Sequence, residues 1–506
     1  MESGDRLLEM VRSLSRQEKR YFKLFSSFYA KKNAKKCVQL FDVVNSPGVS
    51  DANLHHLLTS QFSPKILPRL KNELFTLILD SLVSFRAQHL ADKEARTALE
   101  YVEVLLEKGL HRQAAKQLDK AKKLALDVEN HLLYLQALLW ERSLVLSRYD
   151  DKLEQQLAEV YSEMEDAALK QQTWQRYARI QDFSVVLWGR YRQQADEETA
   201  ADLHALFNNP LTETESDAAT VRSRIARLHV LGLRALARNR HEEALEYSAE
   251  LLALYDAHPA LQRKHINQYT RYLLQRLTIL VELKDEERTL ELVEQIKQMD
   301  QLPEHLLLVT VLGALSVELT LFINLRRVKR AAATADDIEN YLRYQTRSIH
   351  PQNYINLCHN CMAFYFLIGE NSRALDLLQL ILAERRVELR QDIQDCARAF
   401  NLVLHYELGN SDILDNLVRA TRRYLKIKQR TDSLEHLTLD VIRRLNNAVD
   451  AAERQALFRH LNNELDKLAA TLKTKPLGFG ELQHWALSRI QGRSIKDIYL
   501  SGVIEA

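Results

Sequence analysis

The sequence predicts an all-α protein built from repeating helical hairpins, and three observations carry that prediction. The first is scarcity of turn residues: 506 residues contain 12 glycines and 8 prolines, where average usage would supply about 35 and about 25. A chain rich in Leu, Ala, Glu, Arg and Gln with so few breakers reads as helices joined by short connections. The second is periodicity. In GLHRQAAKQLDKAKKLA, Leu110, Ala114, Leu118, Ala121 and Ala125 step by three and four, which places them on one helix face. The third is recurrence, because stretches of this form return along the chain at a regular spacing. Strands are not expected, since β-branched residues are scattered and no alternating run of useful length occurs.

Composition narrows the class further. Hydrophobic residues make up 46% and charged residues 27% of the chain, enough for a well-buried core. Basic and acidic residues nearly cancel, 70 against 68, which argues against coating nucleic acid by bulk charge and leaves a local patch open. The opening MESGDRLLEMVRS carries acids and no apolar segment, unlike a secretory signal. No run is expected to approach the ~18 apolar residues of a membrane span. Four cysteines do not make a disulfide framework. The expectation is a soluble, cytoplasmic protein without cofactor or membrane contact.

In chain order, residues 1–92 read as an N-terminal helical cap module. Ser15-Arg16-Gln17-Glu18 is a capping-box pattern ahead of KRYFKLFSSFY. Ser63-Pro64 has the form expected at another helix start. The stretch SDANLHHLLTSQFSPKILPRLKNELFTLIL predicts two or three helices, either a compact turn of the kind that reads DNA or the cap of an open helical array. Residues 93–472 follow as the repetitive array, with FNNPLTETES (Phe207 to Ser216) joining its two halves. Residues 473–506 begin at the break KTKPLGFGE and end in a capping helix, ELQHWALSRIQ, whose Leu482, Trp485 and Ile490 are available to close the array.

The repeat has a recognisable register. After Gly109 come His111, Ala114, Leu118 and Ala121; after Asn239 come His241, Ala244 and Leu251, with Leu231-Gly232 on the preceding helix. After Gly369 come Ala374, Leu378 and Ile381, and Gly409 opens a copy with Leu414 in place of the alanine. Weaker copies open near Tyr149, Lys284 and Arg326, carrying Glu154, Thr289 and Ala331 at the small-residue position. The pattern resembles the second-helix half of a tetratricopeptide repeat, in which a small residue lets two helices cross closely and a large one fills the groove beside it. The chain's ends also resemble bacterial helical-repeat proteins. Successive openings lie 40, 90, 45, 42, 43 and 40 residues apart, longer than the ~34 of that family. The 90 implies a further unit near Tyr191. The resemblance implies a right-handed α-solenoid of hairpins with about 40–45 residues per unit.

Several motifs bear on chemistry. Cys358-His359-Asn360-Cys361 has redox or half-zinc spacing, but Cys37 and Cys396 supply no matching pair, and the register places the motif on a packed helix before Gly369. Buried structural thiols are the expected reading, with no metal bound. Nucleotide-binding, zinc-protease and nucleophile-elbow motifs are absent from the sequence, and catalysis is not expected. A polar stripe of Asn353, Asn356 and Asn360 runs along PQNYINLCHNCMAFYFLIG. In the family it resembles, the first helix of each hairpin lines a concave groove, which implies that Asn356 and Asn360 face a peptide. Arg271, Gln275 and Thr278 occupy the equivalent helix before Lys284. The first functional reading is therefore a scaffold or adaptor that holds a peptide or protein partner.

The alternative is a nucleic-acid-associated regulator with a partner-sensing solenoid. Arg12, Arg16, Lys19, Arg20, Lys23, Lys31, Lys32, Lys35 and Lys36 face one acid, Glu18, and are interleaved with Tyr21, Phe22, Phe25, Phe28 and Tyr29. Basic residues with stacking aromatics can hold single-stranded nucleic acid. Two further basic stretches, WQRYARIQDFSVVLWGRYR and RATRRYLKIKQR, share the character. In the first, Trp174, Tyr177, Leu187 and Tyr191 step at near-helical intervals and read as core anchors.

Overall fold

The computed structural model describes residues 6–28, 34–46, 51–86, 91–147, 151–193, 197–214, 218–300, 302–345, 349–384, 390–427, 433–471 and 475–504. Among them all regular structure is helical. The N-terminal module comprises α1 (Arg6–Ser13), α2 (Arg16–Phe28), α3 (Ala34–Val44), α4 (Asp51–Gln61) and α5 (Leu67–Arg86). The capping box forms as expected: the Ser15 N–H donates to Glu18 Oε2 at 2.8 Å, and the Glu18 N–H to Ser15 Oγ at 3.2 Å. At Ser63-Pro64 the helix starts a turn later, at Leu67. Val11, Phe22, Leu40, Phe41, Leu74 and Ile78 close a core that this module keeps to itself.

From α6 onward the chain folds into hairpins. They are α6 (Ala91–Glu107) with α7 (His111–Asp127), and α8 (His131–Leu146) with the first part of α9 (Leu153–Gln193). The short α10 (Glu197–Phe207) and α11 (Pro210–Glu213) follow, then α12 (Val221–Ala237) with α13 (His241–Asp256), and α14 (Pro259–Lys264). Next come α15 (Ile266–Glu282) with α16 (Glu286–Lys297), and α17 (Glu304–Asn324) with α18 (Val328–Gln345). The last hairpins are α19 (Pro351–Leu367) with α20 (Asn371–Ala383), α21 (Gln391–Glu407) with α22 (Ser411–Ile427), and α23 (Leu434–Asn447) with α24 (Ala451–Thr471). The chain ends in α25 (Phe479–Gln491) and α26 (Ile495–Ser501). Each hairpin packs on the next, so no helix pair buries its apolar face alone.

One turn recurs inside the hairpins. Gly109, Asn239, Lys284, Arg326, Gly369 and Gly409 all have positive φ, between 55 and 81°. In each, the next N–H reaches back five residues, as Leu110 N to Leu105 O at 2.8 Å and Glu370 N to Tyr365 O at 2.8 Å. This is a Schellman closure, which satisfies the last carbonyls of one helix before the next begins. Six predicted openings thus coincide with left-handed residues. Behind them Ala114, Ala244, Thr289, Ala331 and Ala374 are completely buried where the paired helices cross.

Between residues 149 and 239 the register departs from expectation. Tyr149 lies outside the described residues. The helix after it does not stop at hairpin length but runs 41 residues as α9. Glu154, at the small-residue position, is exposed and not buried in a helix crossing. Val160 and Ala167 in the first part of α9 pack with α6–α8, whereas Ile180 and Leu187 in the second part pack with α10 and α12. Tyr191 is helical, and the chain breaks only after Gln193.

Two further expectations need correction. Glu304–Asn324 is long and apolar enough to cross a membrane, with mean hydropathy 2.3 over 18 residues, so a run of that kind does exist. Half of that window is buried inside the fold, where α17 packs on α15, α16, α18 and α19. The C-terminal helices also do more than cover the last hairpin. They fold back onto α19. Trp485 Nε1 donates to Glu407 Oε1 at 2.7 Å, the Arg489 guanidinium pairs with the same carboxylate, and Tyr499 Oη donates to Ile323 O at 2.6 Å. Arg326 donates to Tyr499 O and Ile504 O, each at 3.0 Å.

Candidate binding cleft

A cavity of about 970 Å³ lies between the second part of α9, α12 and α15. It opens beside the 45-residue unit from Asn239 to Lys284, into which the chain inserts α14, begun by Pro259 at its first position. Farther on, α15 packs directly on α17, α17 on α19, and α19 on α21. One wall is apolar: Val185 and Val186, 45% and 51% exposed, stand with Trp188 opposite Leu233, Leu236 and Ala237. The floor and rim are polar.

A hydrogen-bonded network fixes that floor. Gln181 Nε2 donates to Tyr272 Oη at 2.7 Å and lies 2.9 Å from His229 Nδ1; Gln268 Nε2 donates to Tyr272 Oη at 2.9 Å. Tyr255 Oη donates in turn to Gln268 Oε1 at 3.4 Å. The His229 and Tyr272 rings meet edge to face at 4.9 Å. Burial pushes the His229 imidazole down to about 4, with Arg271 adding to the shift and Gln275 opposing it as an acceptor. The Tyr272 hydroxyl is pushed up to about 12, again chiefly by burial. At neutral pH both are uncharged, so the network is made of neutral donors and acceptors in a fixed order.

The predicted groove residues separate into two groups. Arg271, Gln275 and Thr278 all line the cleft. The asparagine stripe does not. Asn356 Oδ1 accepts from Arg390 Nη1 at 2.6 Å, and Asn360 Nδ2 donates to Ser316 Oγ at 2.8 Å. These two amides tie α19 to its neighbours instead of facing a free groove, and Asn353 is half-buried outside the cleft. Sequence reading missed Gln181, Asp182, Val185, Val186 and His229. Val185 and Val186 carried a usable signal: they fall off the stripe of Tyr177, Ile180, Ser184 and Leu187 that α9 buries, and apolar side chains off a core stripe need another explanation.

The other motifs are placed as follows. Cys358 and Cys361 are buried; burial pushes the first thiol up to about 12 and the second well above its ordinary value, the reverse of a reactive cysteine. Among the described residues no cluster of His, Cys, Asp or Glu could hold a metal. In the N-terminal module Arg16, Lys19, Arg20 and Lys23 share one face of α2, and Lys23 pairs with Asp42 at 2.7 Å. Lys35 and Lys36 are exposed at the start of α3. The Arg12 side chain, Lys31, Lys32 and Tyr29 lie outside the described residues. The interleaved aromatics are mostly structural: Phe22 packs on Phe41 at 4.5 Å, Tyr21 on Phe85 at 5.1 Å, and Phe25 against the same core, whereas Phe28 is exposed. In the second basic stretch Tyr177 and Leu187 are buried as core anchors, and Arg222 stacks on Trp174 at 3.7 Å.

No family model, curated protein or solved structure matches this chain.

Proposed function

We propose that the protein is a non-catalytic scaffold or adaptor, a cytoplasmic right-handed α-solenoid of tetratricopeptide-like hairpins that holds a segment of a partner protein along its inner face. The observation that carries this reading is the 970 Å³ cleft, where three helices bring apolar side chains and unspent polar groups to one open surface. Exposed apolar side chains over a rigid polar floor suit a chain that presents alternating side chains and backbone amides. A second opening of about 520 Å³ between α6 and α8, lined by Leu99, Leu139, Trp140 and the acids Glu100 and Glu103, extends the same kind of surface toward the N-terminus.

The nucleic-acid reading is supported by the basic face of α2, beside which Phe28 is the exposed aromatic among the described residues. The test is affinity capture with the full chain as bait, in nuclease-treated and untreated halves. A protein partner that survives nuclease and is lost with Val186→Arg supports the scaffold. Partners that vanish with nuclease, and with Arg16→Glu plus Arg20→Glu, support the alternative.

A further inference from the structure

The chemistry of the cleft's occupant follows from counting the hydrogen bonds of its floor. Gln181 spends its two N–H groups on Tyr272 Oη and His229 Nδ1. An imidazole that accepts at Nδ1 and is neutral carries its proton on Nε2, and Gln275 takes that proton as an acceptor. Among the described residues the Gln275 amide N–H groups meet no acceptor. Tyr272 Oη receives N–H groups from both Gln181 and Gln268, and among the described residues its own O–H meets no acceptor. Arg271 is exposed on the same helix, one residue before Tyr272 and four before Gln275, and among the described residues its guanidinium has no hydrogen-bond or ion-pair partner. Among the described residues, three donors without an acceptor thus line one stretch of the cleft.

Two carboxylates frame them. Asp182 is exposed on the α9 wall, and Glu282 sits at the far end of α15, eleven residues or ~16 Å beyond Arg271. Among the described residues neither forms an ion pair with Arg271. They disfavour a uniformly acidic ligand and permit a single acid at the donors. The lining continues on both sides of the donor group, from Gln268 to Glu282, which leaves room for chain on either side of an acid held there.

We propose that the cleft takes an extended peptide segment in which an aliphatic side chain, lodged against Val185, Val186 and Leu236, is followed within a residue or two by an aspartate or glutamate held by Arg271, Gln275 and the Tyr272 hydroxyl. This rests on the scaffold reading and adds the chemical class of the partner segment.

The test is fluorescence anisotropy of the full chain with end-blocked, fluorescein-labelled decapeptide pools. One pool has a central Leu-Glu, a second Leu-Gln, a third Leu-Lys, and a fourth places Leu at a free C-terminus, with Ala, Ser and Gly elsewhere. The Leu-Glu pool binds about tenfold tighter than the Leu-Gln pool, the scale of a charge-assisted contact, and the Leu-Lys pool binds weakest. Arg271→Ala, a surface change that leaves the fold intact by circular dichroism, removes the tenfold preference. Gln275→Leu reduces the preference in the same direction. Equal binding of the Leu-Glu and Leu-Gln pools, a preference that survives Arg271→Ala combined with Gln275→Leu, or binding of the free-C-terminus pool alone overturns the inference and leaves the scaffold reading standing. The scaffold reading itself fails if no pool binds, or if Ala237→Trp, which fills the cleft, leaves binding unchanged.

Discussion

The two halves of the array use their first helices differently. In α19 and α21 almost every face is buried: the run from Leu357 to His359 and Cys361 to Leu367, and from Ile393 to Ala397, leaves hardly any side chain for a ligand. The chain's own C-terminus contributes to this. Gly478 lies against Phe400 and Cys396, and Ile495 against Gly369, so α25 and α26 cover the helices that a partner would otherwise meet. In α12 and α15, with the second part of α9 beside them, the corresponding faces stay open, with two exposed valines and, among the described residues, three donors without an acceptor. A repeat can thus be closed by its own tail in one half and open in the other. The asparagine stripe and the Arg271 group look alike in sequence and differ in what is left for them to bind.

The comparison can be broken most severely at Trp485. It is 1% exposed, packs on Phe458 at 5.0 Å, and donates to Glu407. Trp485→Ala should cost about 3–5 kcal/mol, seen as a lowered denaturation midpoint with hydrogen exchange accelerated in α19 and α21 and not in α12. Gly478→Ala gives a similar pattern, because the residue has φ of 82° and a Cβ would stand 2.4 Å from Phe400 Cε2.

Acid should loosen the open half through its histidines. His229 and His265 are both held down to about 4 by burial, His265 with Arg222 and Lys264 adding to the effect. Unfolding returns them to an ordinary value near 6.5. Their folded pKa is depressed, so the unfolded chain binds the protons: their contribution is intact above pH 6.5 and is lost as pH falls toward 4. His229→Gln should flatten that part of the melting-temperature profile, and an unchanged slope would remove His229 from the account. His359, His405 and His484 are also lowered by burial, so the closed half has a pH response of its own.

Smaller effects separate the halves more finely. Arg326→Ala removes two bonds to the terminal backbone and should cost about 1–3 kcal/mol, with faster exchange at Tyr499 to Ile504. Asn360→Ala should cost about 1 kcal/mol and leave peptide binding unchanged, because its partner is Ser316. Val186→Ser should move stability by no more than about 0.5 kcal/mol yet weaken binding of the Leu-Glu peptides. Stability and binding are thus predicted to respond to different residues in the two halves.

How much of this was legible in the sequence depended on how local the cause was. The hairpin turns were legible because a left-handed residue five positions before a small buried one is a local pattern, and it survives replacement of glycine by Asn239, Lys284 or Arg326. The 41-residue α9 was not, because whether a helix continues past Glu154 depends on packing partners at both ends that are distant in sequence. The site was half legible. Arg271, Gln275 and Thr278 could be placed on one helix face from spacing alone. Spacing could not show that Asn360 would meet Ser316, 44 residues away, or that residues after Pro476 would return to cover α19 and α21. Likewise, nothing local in His229 shows that Gln181 fixes its tautomer.

The most direct test of an open N-terminal half and a closed C-terminal half is photo-crosslinking. A benzophenone amino acid is placed at Val186 in one full-length variant and at Asn353 in another, and each is irradiated with the Leu-Glu decapeptide pool. The account predicts a peptide adduct from Val186 and none from Asn353. An adduct from Asn353 with none from Val186 would put the binding face on α19 and contradict it.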